Sequence, residues 1–142
     1  AAAREAAAKE AAARDAAAAA AAASKDPLND PANILSKRSV YFDFDSFSIK
    51  EDFKSVVEAH GKFLAGNPER KVIIQGNTDE RGGSEYNLAL GQKRAEAVRR
   101  ALSLAGARDS QMEAVSFGKE KPKASGNNEE AWAQNRRADI VY

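Results

Sequence analysis

Apolar positions recur with two different periods beyond residue 38. Val40, Phe42 and Phe44 alternate with Tyr41 and Asp43, which predicts a half-buried strand. Ser48 and Glu51 have the spacing of a capping box. Behind them Ile49, Phe53, Val56, Val57, His60 and Leu64 share one helical face, and Gly66-Asn67-Pro68 ends that helix. The short apolar run 71–75 (KVIIQ) predicts a second strand, followed by a polar, glycine-rich loop over 77–83. Ser84 is placed to cap a long helix reaching about Ala105, with a stripe of Leu88, Ala95, Val98, Leu102 and Ala105 flanked by Tyr86, Leu90, Ala97 and Ala101. Gly106 stops it. Residues 112–117 predict a third strand and 118–128 a basic, proline-containing loop. Asn128 is placed to cap a short helix carrying Trp132, and Ala138, Ile140 and Tyr142 alternate along a last strand. The order β-α-β-α-β-(short α)-β predicts an α/β fold of the α+β sandwich type, its helices packed on one face of a small mixed sheet.

Composition confines this core to the later part of the chain. Of the 142 residues, 31 are Ala, and 17 of those lie within 1–23; all 30 Val, Ile, Leu, Met, Phe, Trp and Tyr follow residue 27. Residues 1–23 repeat with period five (AAARE, AAAKE, AAARD), which predicts a helix roughly 35 Å long at about 1.5 Å per residue, with no large side chain for packing. The segment resembles semi-rigid (EAAAK)-type spacers and reads as engineered, without chemistry of its own. Residues 24–33 (SKDPLNDPAN) carry two Asp/Pro turn signals and read as a linker, so 34–142 is the expected globular domain. Arg4, Glu5, Lys9, Glu10, Arg14 and Asp15 interrupt the Ala run too often for a membrane span or a signal peptide.

Charge and residue inventory remove most catalytic classes. The chain has no Cys, which excludes a disulfide scaffold, a thiolate zinc site, an iron–sulfur cluster and a cysteine nucleophile. Neither a phosphate loop nor a Gly-x-Ser-x-Gly elbow is present. His60 is the only imidazole and lies on the apolar side of its helix, as a packed structural histidine would. The run from Asn77 to Gly82 has a faint likeness to a calcium loop but places the cation Arg81 where an oxygen ligand is required, so no metal is expected. Asp43 and Asp45, two apart, offer a carboxylate pair for acid–base work or ordinary strand-end turn chemistry. Lys93, Arg94, Arg99, Arg100, Arg136 and Arg137 are basic, but Glu85 and Glu96 share the long helix and the net charge is only +1, so nucleic acid is not an expected partner.

One constellation is sharper. The second strand delivers the chain to Thr78 and Asp79, and Asn87, Leu90 and Arg94 share a face near the start of the next helix. A fixed anion, Asp79, therefore stands near a fixed cation, Arg94. Two readings are open at this point: an internal salt bridge, or two charges held apart to grip a zwitterion. In the second, Asp79 takes an ammonium and Arg94 takes a carboxylate through its planar fork, with Leu90 against the methylene chain. Under that reading Arg94 is spent on a guest, and its removal is expected to leave the fold nearly intact.

The segments YFDFDSFSI (41–49), GNTDERGGSEYNLALGQKRAEAV (76–98), SFGKEKP (116–122) and NRRADIVY (135–142) resemble the OmpA-like peptidoglycan-binding domain, over about residues 28–142. The likeness is to a lipid-anchored member of Gram-negative, β-proteobacterial bacteria. It implies non-catalytic binding of peptidoglycan through the meso-diaminopimelate of the stem peptide, with no cofactor. By resemblance, Asp79 meets the diaminopimelate amine and Arg94 the carboxylate. Phe44 and Asp45 border the pocket, and Thr78, Asn87 and Leu90 complete it. Arg136 and Arg137 either anchor the last strand or touch ligand. The same resemblance implies TolB and the other Tol proteins as partners, and a parent protein at the periplasmic face of the outer membrane. The Ala-rich segment stands in the place of the family's lipid tether and no lipobox cysteine is present, so a soluble, engineered chain is expected. Two other functions are weighed against wall binding: an enzyme using Asp43 and Asp45 on peptidoglycan, and a scaffold or immunogen whose wall site is lost or unused.

Overall fold

The computed structural model describes residues 27–142, and the expected spacer helix over 1–23 lies outside the described residues. The compact units divide between Lys37 and Arg38. In the first, Pro27–Asn29 and Ile34–Ser36 form short 3₁₀ turns, and Asn33 caps the second by accepting from the Leu35 N–H at 2.9 Å.

The second unit follows the predicted order. It runs β1 (Ser39–Tyr41), α1 (Glu51–Gly66), β2 (Val72–Asn77), α2 (Ser84–Leu104), β3 (Met112–Gly118), α3 (Glu129–Asn135) and β4 (Arg137–Val141), with a 3₁₀ turn at Asp109–Gln111 before β3. The four strands form one mixed sheet in the order β1-β4-β2-β3. β2 and β3 are parallel, and β4 runs antiparallel to both β1 and β2. Register sets Ile74 opposite Ile140 and Ala114, and Val40 opposite Ala138. One sheet face thus gathers Val40, Val72, Ile74, Ala138 and Ile140 against Val57 and Leu64 of α1 and Ala95, Val98 and Leu102 of α2. On the opposite face Ile73 and Val141 are exposed, as period-two alternation requires.

Several local expectations are corrected. β1 ends at Tyr41, so Phe44 is not on a strand: beyond Phe42, whose N–H bonds the Arg136 carbonyl, the backbone turns away to meet α2. The Ser48–Glu51 capping box does not form; α1 starts at Glu51 after Lys50, and the Ser48 N–H bonds the Ser46 hydroxyl instead. Ser84 is the first residue of α2 and not its cap, which is Gly83. Leu88 is 51% exposed, and the buried face of the first turns of α2 carries Asn87, Leu90, Gly91 and Arg94 instead. The helix is therefore apolar where it covers the sheet and polar where it passes the end of β2. Asn128 does cap α3, accepting from the Ala131 N–H at 2.9 Å.

Helix α2 can approach β2 closely only because two glycines face each other. A Cβ on Gly76 would stand 1.7 Å from the Gly91 carbonyl oxygen, which is backbone and has no rotamer with which to yield. Gly76→Ala is therefore expected to destabilise the domain by about 3 kcal/mol, at the upper end of overpacking costs. Gly66→Ala, where nothing lies within 4 Å, should be neutral or stabilising by up to about 1 kcal/mol. Paired denaturant melts test the contrast, and equal midpoints would show that the two elements are not in contact at Gly76.

Candidate functional site

Three segments converge at the C-terminal end of β2: the β1–α1 connection, the loop 78–83, and the first three turns of α2. The chain leaves β2 through a register shift at Gly76/Asn77, and the Thr78 N–H bonds the Gly118 carbonyl at 2.8 Å, tying the loop to the end of β3. Gly82 turns the loop with φ +93°, and the Asn87 side-chain amide donates to the Arg81 carbonyl at 2.8 Å, fixing the loop backbone to α2. Asp45 is the only non-glycine among the described residues with positive φ, at 55°, and it accepts a hydrogen bond from the Tyr86 hydroxyl.

These segments enclose a cavity of about 180 Å³ lined by Phe44, Asp45, Thr78, Asp79, Arg81, Gly82, Tyr86, Asn87, Leu90 and Arg94. All seven residues singled out from the sequence stand in that lining. Its centre of charge is Arg94, which has no exposed surface. Nε donates to the Ser46 carbonyl at 2.8 Å, one terminal nitrogen to Asn77 at 3.0 Å and the other to Asp43 at 3.1 Å. The guanidinium also lies 5.3 Å from the centre of the Phe42 ring. Three of its five N–H donors are thereby used, leaving two without a protein acceptor among the described residues. Burial pulls the Arg94 pKa down to about 10, and the nearby Asp79 charge only partly offsets this. Desolvation thus burdens the cation, and a further anion bonded directly to it would relieve it.

Asp79 is 4% exposed, and no ion pair joins it to Arg94. Its partner is Arg81, two residues on: the backbone N–H donates to Oδ1 at 3.0 Å, Nε to Oδ1 at 3.3 Å and a terminal nitrogen to Oδ2 at 2.8 Å. Arg136 adds a contact at 3.6 Å. Burial alone would raise the Asp79 carboxyl, but the hydrogen bonds and charge of Arg81, with the charge of Arg136, together hold it below the ordinary carboxylate value.

The internal Asp79–Arg94 salt bridge is thus absent, but so is an unengaged Asp79. The sequence pattern marks Arg81 only as the residue that spoils a calcium loop; its i+2 spacing from Asp79 is the signal of its place in the site. The same pattern sets Tyr86 on a flank of the α2 stripe. Arg136 serves the site indirectly: it donates to the Phe42 carbonyl at 2.9 Å and to Glu129 at 2.7 Å while facing Asp79. Arg137 pairs with Asp139 at 3.0 Å along β4 and lies outside the cavity. Asp43 and Asp45 do not work as a pair, since Asp43 reaches Lys50 at 3.3 Å and Asp45 takes Tyr86. His60 is fully buried, its Nδ1 2.5 Å from the Tyr142 hydroxyl.

With this geometry in place the kinship of the chain is plain: residues 41–136 match the OmpA family, and the chain belongs to it. Among similar proteins are the peptidoglycan-associated lipoprotein of Pasteurella multocida, 47% identical over 104 residues (73% of this chain, 69% of that protein), and that of Pseudomonas aeruginosa, 45% identical over 113 residues (80% and 67%). The crystal structure of the peptidoglycan-associated lipoprotein from Burkholderia pseudomallei is 67% identical with a TM-score of 0.81, covering 82% of this chain and 99% of that one. The C-terminal domain of Helicobacter pylori MotB shares the fold at 24% identity, with a TM-score of 0.68, covering 74% of this chain and 83% of that one. The domain is thus of the OmpA-like type, and the relatives from Pasteurella multocida, Pseudomonas aeruginosa and Burkholderia pseudomallei are all named peptidoglycan-associated lipoproteins. Among the described residues no helix is long and apolar enough to cross a membrane.

Two outcomes follow from the charges. Because the folded Asp79 carboxyl sits below its unfolded value of roughly 3.9, its contribution to stability is complete above that pH and is lost as pH falls through the folded value. Asp79→Asn should therefore flatten the acid limb of a stability–pH curve below about pH 4–5; an unchanged limb would contradict the Arg81 clasp. Arg94→Ala, contrary to the expectation of a nearly intact fold, should cost about 3 kcal/mol or more in urea melts, because the buried Asn77 carbonyl and the part-buried Ser46 and Asp43 carbonyls all lose a charged donor. A change under about 1 kcal/mol, typical of a residue without such a role, would contradict the anchoring described above.

Proposed function

We propose that this chain binds peptidoglycan without catalysis, taking the free end of a meso-diaminopimelate side chain into the cavity between the loop 78–83 and α2. The observation that carries the reading is one cavity containing a buried guanidinium and a buried carboxylate that do not neutralise each other. The two remaining N–H groups of Arg94 donate to a carboxylate in the planar geometry that a guanidinium offers. Asp79 and Asp45 supply anionic oxygen for the ammonium beside it. Leu90 lies against the methylene chain, Thr78 and Asn87 fix the surrounding backbone, and Phe44 covers the entrance. At about 180 Å³ the cavity is smaller than the roughly 300–1,000 Å³ of sites that enclose a drug-sized molecule. It suits the end of one side chain and not a sugar strand.

The similar proteins are named as peptidoglycan-associated, which supports the cell wall as the binding partner. On this reading the parent protein is lipid-anchored at the periplasmic face of the outer membrane and tethers that membrane to the wall. TolB and the other Tol proteins are its partners and compete with the wall for the exposed aromatic rim. The Ala-rich residues 1–23 are proposed to be an engineered spacer, 24–33 a linker, and 34–142 the binding domain.

Sedimentation with diaminopimelate-type sacculi tests this. The chain should pellet with sacculi and be released by free meso-diaminopimelate, without liberating soluble muropeptides. Arg94→Lys should lose binding, because a point charge does not reproduce a two-pronged contact. Asp79→Asn should weaken it by about 1.5–3 kcal/mol, the worth of a charge-assisted bond. Full retention by Arg94→Lys, or release of muropeptides, would refute the reading.

A further inference from the structure

The proposed ligand brings an ammonium to Asp79, yet Asp79 already has a cation. Arg81 meets both carboxylate oxygens, with its terminal nitrogen 2.8 Å from Oδ2, and it lines the same cavity. The two arginines around Asp79 differ in freedom. The Arg136 side chain is 7% exposed and is fastened to the Phe42 carbonyl and to Glu129. The Arg81 side chain is 31% exposed and leaves a loop whose next two residues are Gly82 and Gly83. Its backbone is held through its carbonyl to Asn87, so the side chain can move without the loop. Its guanidinium also lies between two rings, 4.0 Å from the centre of Phe44 and 4.0 Å from that of Trp132. Trp132 is steadied by donating from Nε1 to Glu80 at 3.0 Å. A guanidinium leaving Asp79 would thus keep two aromatic faces nearby.

We propose that Arg81 is an internal stand-in for the ligand's ammonium: it holds Asp79 until an incoming ammonium displaces it, and so it sets which ligands enter. This inference rests on the diaminopimelate reading of the same cavity. An amine alone competes at a disadvantage with a guanidinium tethered two residues away, whose effective concentration is high. A zwitterion gains a second contact at Arg94 and can displace it. Arg81 is thus a specificity residue, selecting ligands that carry a carboxylate beside the ammonium.

Calorimetric titration of the whole chain with meso-diaminopimelate and with 1,5-diaminopentane, an amine of the same chain length without carboxylates, tests this. The unsubstituted chain should bind the first and not the second. Arg81→Ala should bind meso-diaminopimelate about fivefold tighter, a partly exposed ion pair being of that worth, and should acquire measurable binding of 1,5-diaminopentane. Arg81→Gln keeps the length of the side chain without its charge, guards against collapse of the loop, and should shift both ligands in the same direction. Equal or weaker meso-diaminopimelate binding by Arg81→Gln, with the unsubstituted chain binding, overturns the stand-in role and leaves the site reading intact. No binding of meso-diaminopimelate by any of the three proteins overturns both.

Discussion

The site depends on the burial of one guanidinium. An arginine removed from water is costly unless its donors are satisfied, and Arg94 meets that cost with carbonyls from two separate stretches of chain: Asp43 and Ser46 before α1, and Asn77 at the end of β2. These bonds gather the β1–α1 connection and the end of β2 around α2. They also explain why β1 stops early and why α1 begins at Glu51, because the intervening backbone turns its carbonyls toward Arg94. The residue that best suits an anionic ligand is also the residue that builds the walls around it.

Around Arg94 the charges are arranged so that no pair cancels at the centre. Asp79 is held by Arg81 and approached by Arg136, Arg136 is held by Glu129, and Asp45 is met by a neutral hydroxyl. Arg94 alone bonds only to backbone dipoles. A carboxylate entering the cavity would be the first full anion to bond it directly, and a buried cation lowered to about 10 gains from such a neighbour. Helix α3 contributes from a distance, since Glu129 and Trp132 steady the two arginines that face Asp79.

Element order and sheet composition were legible because each depends on local periodicity and turn residues: the apolar run in 71–75, the alternation of Ala138, Ile140 and Tyr142, the Gly66-Asn67-Pro68 stop, and the Asn128 cap. Phe44 and Asp45 came only from the family resemblance, whereas Thr78, Asp79, Asn87, Leu90 and Arg94 were legible as a cluster because the end of β2 and the start of α2 are joined by a loop of six residues, which leaves little freedom in where they meet. Side-chain partnerships were not. Leu88 and Arg94 exchange the burial that their polarity suggests, and it takes the Asn77 carbonyl together with those of a segment some fifty residues earlier in the chain to make a buried arginine tolerable there. In the sequence Arg81 shows only as the cation that spoils a calcium loop, and its place between Phe44 and Trp132 requires α3, which lies far along the sequence, to be brought beside the loop.

On the proposed reading Arg94 and Asp79 are kept apart for a guest bearing both charges. A crystal structure of the chain soaked with meso-diaminopimelate tests it most directly. A carboxylate should lie within hydrogen-bond distance of the Arg94 guanidinium, with the adjoining ammonium beside Asp79 and the Arg81 side chain moved off it. A ligand bound elsewhere, or oriented with its ammonium toward Arg94, would contradict it.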